Sequence, residues 1–294
     1  MDEGLSCPEH DLVFPNDACG YLDFTPPGSY ERVETTTEEY ADEQRENWRR
    51  FYDAFLAPWL EREDANRILE IGCGVGMGIR FSNEAGKEAY GIDLPCLSPF
   101  WAKVENDPAA FFLAEGARLP FPDDYFDALY CLGVIEHVGT LVGHYTLADD
   151  YRDQRVAFAR ELLRVTKPGG RLLVTCPNRR FPIDIHHDPT DDATPPGTMR
   201  FRRWFYDRFG MTLHWPFGQY HLFSLGDFRE LFVSECGASS AEPLPLRHYF
   251  GFHRMGSLPG VGLVKGLAAR YIEQIPRVLR GTCFDPFLVV EIRR

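Results

Sequence analysis

Between Arg67 and Phe81 the chain reads RILEIGCGVGMGIRF, an apolar run that meets an acid and then four glycines on alternate positions, Gly72, Gly74, Gly76 and Gly78. No other stretch limits the fold so tightly. Ile68, Leu69 and Ile71 suit a buried strand, and glycine at this density lets a backbone turn sharply and come close to a ligand. Helical spacing follows, so the stretch predicts a strand, a loop and a helix over Gly76–Ala85. That layout presents helix N-terminal amides outside the carboxyl end of a parallel strand.

The rhythm continues downstream. EAYGIDL predicts a second strand and Leu97–Asn106 a helix; AFFLAEG and FDALYCLG predict the third and fourth strands. Arg152–Val165 predicts a helix with Val156, Ala159, Leu162 and Leu163 on one face. GGRLLVTCP is a fifth strand, opened by the turn residues Pro168, Gly169 and Gly170. Leu225–Cys236 then reads as a helix, and SSAEPLPL and FLVVEIRR as the last strands. Apolar strands without a polar alternation, separated by helices, argue for a parallel sheet covered on both faces. Upstream, Trp48, Phe51, Tyr52, Phe55, Leu56, Trp59 and Leu60 share one face of a helix over 38–63, which Pro58 ends or bends. Residues 1–37, rich in Pro, Gly and acids, predict an irregular arm. A single domain over 1–294 with insertions at 178–223 and 250–280 is the simplest organisation.

Composition narrows the partners. The chain of 294 residues carries a formal net charge of −13, which disfavours a nucleic-acid partner because phosphate binding wants a basic surface. The first residues, MDEGLSCPEHDL, have neither the basic nor the apolar part of a signal peptide, and no apolar run reaches the roughly 18 residues of a membrane span. The eight cysteines are scattered rather than framed as disulfides, so a cytoplasmic, reduced protein is expected.

The glycine loop departs from both common phosphate-binding patterns. The third glycine position of the dinucleotide fingerprint carries Met77, and no Lys followed by Ser or Thr closes a P-loop. A ligand without a pyrophosphate fits better. Glu70, Gly72, Gly74 and Gly76 in the spacing E-x-G-x-G-x-G resemble the first motif of the class I S-adenosylmethionine-dependent methyltransferases. The likeness continues through GID ending at Asp93, AEGARLPFPDDYFDALY, LGVIEHV and ELLRVTKPGGRLLVTCPN, and covers about Arg67 to Asn178. It implies an α/β, Rossmann-like doubly wound sheet of seven strands, mostly parallel with an antiparallel last strand, plus lid insertions. It also implies S-adenosyl-L-methionine as cofactor, with Glu70, Gly72, Cys73, Gly74, Gly76, Asp93, Leu94, Glu115, Gly116, Ala117 and Leu132 as cofactor-binding residues. In this reading Asp93 accepts the ribose hydroxyls and Glu115 meets the adenine. Glu70 has the alternative of capping loop amides.

Methyl transfer from a sulfonium is an in-line displacement that needs alignment, and a base where the acceptor is a hydroxyl. The candidate bases are His221 in GQYHLFSLGDF, His137 just past the fourth strand, and His187 (with His186) in PIDIHHDP. No metal site is expected: the paired histidines read as loop residues, and Cys7, His10 and Cys19 fall one short of a structural zinc set. The segment Met199–Phe223 holds nine aromatics and four arginines, Arg200, Arg202, Arg203 and Arg208, against one acid, Asp207. It reads either as a wall over a small-molecule acceptor that is aromatic, lipidic or anionic, or as an inserted mini-core whose arginines snorkel to solvent. Likewise the helix at 38–63 either gates the cleft or packs the core. The expected activity is O-methylation of a small molecule. N- or C-methylation on the same scaffold, or a catalytically silent cofactor-binding partner subunit, are the alternatives.

Overall fold

The computed structural model describes residues 4–7, 12–26, 42, 48–62, 64–104, 106–141, 145–184, 187–191, 194–215, 217, 219–245, 267 and 270–294. Its strands are β1 (Leu5–Cys7), β2 (Leu12–Phe14), β3 (Leu22–Asp23), β4 (Arg67–Ile71), β5 (Glu88–Asp93), β6 (Phe111–Leu113), β7 (Phe126–Leu132), β8 (Thr166–Pro177), β9 (Ile183–Asp184), β10 (Thr212–Leu213), β11 (Ser240–Pro243) and β12 (Phe287–Arg293). The helices are α1 (Ala57–Glu61), α2 (Met77–Glu84), α3 (Ser98–Lys103), α4 (Tyr151–Val165), α5 (Pro196–Phe209) and α6 (Leu225–Phe228). The chain divides into two compact units, one of residues 1–131, 158–172 and 294, the other of residues 132–157 and 173–293.

The principal sheet runs β11-β12-β8-β7-β4-β5-β6-β3. β4 pairs in parallel with β5 on one side and β7 on the other, and β12 runs antiparallel to β11. Chain order reverses beside β4, which is the switch point where an open α/β sheet leaves a crevice for a ligand. The strands carry Ile68, Leu69, Ile92, Leu129, Leu172, Val174 and Val290 essentially without exposure, as expected of a sheet covered on both faces.

Two expectations are corrected. The sheet has eight strands among the described residues, not seven, because β3 adds to the edge of β6 with Leu22 opposite Phe112 and Asp23 opposite Leu113. Among its described residues the arm is not irregular: β1 and β2 form an antiparallel hairpin, and the buried Tyr21 sets its ring edge-on to Trp101 at 5.0 Å. Strands of two or three residues carry too little alternation to be read from sequence. Pro58, for its part, bends the helix rather than ending it. A π turn over Tyr52–Leu56 precedes it, with the Ala57 amide reaching the Tyr52 carbonyl, and α1 then continues to Glu61. The wide turn accommodates the missing proline amide and keeps Phe51, Tyr52, Phe55, Leu56, Trp59 and Leu60 buried. The insertion at 178–223 contains α5 and the β9–β10 pair. Of the insertion at 250–280, residues 250–266, 268 and 269 lie outside the described residues.

Candidate active site

The first unit builds a loop that is tied down at almost every peptide. Gly72, Gly74 and Gly76 have φ of +71°, +55° and +82°, a region in which a side chain is strained. The amides of Gly72 and Cys73 donate to the Ile92 carbonyl at 2.9 and 3.0 Å, and the Gly76 amide donates to the Cys73 carbonyl at 2.9 Å. Asp93, the last residue of β5, accepts from the Gly74 amide through Oδ2 and from the Leu94 amide through Oδ1, both at 2.8 Å. Each of its oxygens keeps a second lone pair for a ligand hydroxyl. Desolvation pushes the Asp93 carboxyl up to about 6, against the two amide bonds that favour its ionised form.

Two side chains that sequence reasoning missed hold the outer half of the loop. Trp101 of α3 donates its indole N–H to the Gly74 carbonyl at 2.7 Å, and Asn106 donates its amide to the Val75 carbonyl at 3.2 Å. A Cβ on Gly76 would lie 2.5 Å from Asn106 Nδ2 and 2.6 Å from the Phe111 ring, so this glycine is required by space as well as by φ. No motif marks Trp101 or Asn106, which act through side-chain reach across about thirty residues of chain.

Glu70 is buried at the end of β4 and accepts from the Tyr130 hydroxyl at 3.0 Å. Burial pushes its carboxyl well above the usual range, against the Tyr130 hydrogen bond. Cys73 turns its buried thiol onto β5, where a Cβ on Gly91 would meet Sγ at 2.9 Å. With both backbone groups also engaged, Cys73 serves the loop's shape. Glu115 and Gly116 follow β6, whose Leu113 pairs with Asp93, so the half-buried Glu115 and Asp93 emerge at one end of neighbouring strands. Gly116 abuts Phe158, while Ala117 is exposed. Leu94 is half-buried beside Asp93, and Leu132 is the half-buried last residue of β7. The set offers carboxylate acceptors for vicinal hydroxyls and backbone that passes close to a ligand. It fits the nucleoside and amino-acid tail of S-adenosylmethionine.

The second unit gathers the histidines. Glu136 and His137 lie in a turn over Ile135–His137 directly after β7. Asp184 lies in β9, which pairs with β10, and Asp184 Oδ2 is 2.7 Å from His187 Nδ1 and 3.5 Å from His214 Nε2. His187 Nε2 is 4.0 Å from Glu136 Oε1. The rings of His137 and His221 each lie 5.4 Å from that of His187, and Tyr145 stacks on His221 at 4.6 Å. All three candidate bases thus meet in one cluster; His186 lies outside the described residues, as does His10 of the Cys7–Cys19 trio.

Their electrostatics differ. Burial lowers the affinity of His187 for a proton, but Asp184 outweighs it and leaves the imidazole above its ordinary value. Asp184 in turn is held well below the carboxylate range by His187 and His214 despite its burial. His221 is 1% exposed, has no hydrogen-bond partner on either ring nitrogen among the described residues, and is kept neutral by burial. Of the three, His187 is the imidazole that a carboxylate orients.

The arginines divide as neither reading alone expects. Arg202 is buried and bonds Asp191 at 2.6 Å, Thr194 at 2.5 Å and the Leu213 carbonyl at 2.6 Å, which makes it the anchor of a small polar core. Arg200, Arg203 and Arg208 are exposed on α5 beside Phe201, Trp204 and Phe209, which are 53%, 56% and 43% exposed.

Residues 69–174 match a family described as a methyltransferase domain. Among curated proteins the chain is similar to the chloroplastic tocopherol O-methyltransferase of Arabidopsis thaliana, 30% identical over 124 residues, which are 39% of this chain and 31% of that protein. It is also similar to the probable tRNA methyltransferase 9B of Homo sapiens, 28% identical over 141 residues, 48% of this chain and 27% of that one. The chain therefore spans less than a third of the length of these relatives. Among solved structures it is similar to a possible histamine N-methyltransferase from Thermotoga maritima, at 14% identity and a TM-score of 0.46, covering 87% of this chain and 94% of that one.

Proposed function

We propose, from the match of residues 69–174 to a methyltransferase domain family and from the site above, that the protein transfers a methyl group from S-adenosylmethionine to an oxygen of a small-molecule acceptor. Bound cofactor supplies a methyl already activated by the sulfonium charge. The protein's own part is to hold donor and acceptor in line and to receive a proton. Asp93 and the glycine loop would hold the donor, and the histidine cluster would receive the proton that a hydroxyl acceptor gives up.

The observation that carries this reading is the Asp93 network: a carboxylate at the tip of β5 bonded to the Gly74 and Leu94 amides, beside a loop of left-handed glycines. The oxygen acceptor rests on the imidazole cluster and on the 2.7 Å contact that orients His187, since a hydroxyl needs a proton acceptor more than an amine does. The exposed aromatics and arginines of α5 support an aromatic, lipidic or anionic acceptor.

The test has two arms. Titration calorimetry with S-adenosylmethionine should give binding that the Asp93→Ala variant weakens about 10- to 100-fold, the range for losing hydrogen bonds to a charged group. Labelled cofactor should then transfer its methyl to hydroxylated acceptors in a mixed panel of phenols, prenylated quinols, amines and carboxylates. Label found only on amines would replace the oxygen reading, and a chain that ignores the cofactor would sink the whole proposal.

A further inference from the structure

The histidine cluster has a feature that proton transfer alone leaves unexplained. Glu136 is 1% exposed, and its Oε2 has no hydrogen-bond partner among the described residues. A carboxylate buried in this way is costly to ionise unless a cation meets it. Glu136, the exposed His137 and the buried His187 present one carboxylate oxygen and two imidazole nitrogens that lie within 4.8 Å of one another. On the far side of His187, Asp184 takes Nδ1 at 2.7 Å. A carboxylate on one imidazole nitrogen is how metal-binding histidines have their ring turned and their other nitrogen made more basic.

We propose that Glu136, His137 and His187 bind a divalent transition cation of the zinc class, with Asp184 as the carboxylate that orients His187. Two imidazoles and a carboxylate suit zinc, and three protein ligands leave a fourth position for water or substrate. Ligand atoms around tetrahedral zinc lie about 3.3 Å apart at ordinary bond lengths. The 4.0 Å between His187 Nε2 and Glu136 Oε1 is about 0.7 Å longer than that spacing. The inference deepens the oxygen-acceptor reading, on which it rests for its consequence. In the metal-bound protein the open position takes the acceptor oxygen, His187 acts as a ligand, and His221, whose ring nitrogens have no hydrogen-bond partner among the described residues, is the imidazole left to receive the hydroxyl proton.

Metal content decides the matter without reference to turnover. The full chain, stripped by a chelator and dialysed, is titrated with zinc and separately with cobalt. The expected result is one equivalent bound, a rise in melting temperature that grows with zinc concentration, and a cobalt spectrum without the thiolate charge-transfer bands that cysteine ligands give. Glu136→Gln and His187→Ala should each abolish that equivalent, and Asp184→Asn should weaken it about 10- to 100-fold. Cys7→Ser should leave it unchanged. Affinity for S-adenosylmethionine, measured on the same samples, should stay intact and so separates failure of this inference from failure of the functional reading. Glu136→Gln is isosteric and removes a buried charge, so it should fold at least as well as the parent in the absence of metal. Binding that survives both Glu136→Gln and His187→Ala, thiolate bands in the cobalt spectrum, or no zinc bound would each overturn the proposal.

Discussion

At the scale of single residues, Asp93 closes the glycine loop with one carboxylate and, in the proposed function, also accepts the hydroxyls of the ligand. Its titration gives a prediction with a definite sign. With the folded value near 6, above the ordinary 3.8, the group is neutral below that point and accepts ribose hydroxyls poorly. S-adenosylmethionine should therefore bind more tightly as pH rises from about 5 to about 7 and level off above; calorimetry across that range should show the Asp93→Asn variant weak and flat. Tyr130 offers a stability test. Tyr130→Phe removes the hydroxyl that donates to buried Glu70 and should cost about 1–3 kcal/mol in denaturant unfolding. Both acids were legible in the sequence because a strand end, a loop and a fixed interval announce them. Trp101 and Asn106 were not, since their work is done by reach across the fold rather than by spacing.

At the scale of elements, the start of α2 sets helix propensity against space. Replacing glycine by alanine inside a helix ordinarily stabilises by about 1 kcal/mol. At Gly78 the added Cβ would lie 2.7 Å from both Glu70 Oε2 and the Tyr130 hydroxyl, and 2.9 Å from the Trp48 ring. Those two oxygens are bonded to each other and buried, so they have little room to move. Gly78→Ala is thus expected to lower the melting temperature and weaken cofactor binding, the reverse of the propensity rule. The segment after β8 shows how far a composition argument reaches. Its excess of arginine over acid was real, yet Arg202 is a buried structural ion while its helix neighbours Arg200 and Arg203 meet solvent. Periodicity alone did not separate them, because the partner acid Asp191 lies outside the helix and comes to Arg202 only through the fold. Arg202→Met strands that carboxylate and should cost about 3 kcal/mol, read as a shift in denaturant midpoint. Arg203→Met should leave stability within about 0.5 kcal/mol.

For the whole molecule, the order of strands and helices was readable because buried parallel strands and covering helices impose period and length over most of the chain. The short pieces at its edge were not, for the opposite reason. Net charge also acts at this scale. At −13 the protein should repel polyanions, so at physiological salt transfer RNA should bind no better than the roughly 10⁻⁴ M of non-specific contacts, as a filter or fluorescence titration would show. Specific binding in the nanomolar range would move the acceptor from a small molecule to RNA. The added strand β3 has a consequence for how the protein behaves in solution. It occupies the rim of β6, with the Phe24 amide bonded to the Leu113 carbonyl at 2.7 Å. An uncovered parallel strand offers a row of open peptide groups to any passing chain. Removing those few N-terminal residues would strip the sheet of its selvedge, and the trimmed protein should associate rim to rim and precipitate before it unfolds.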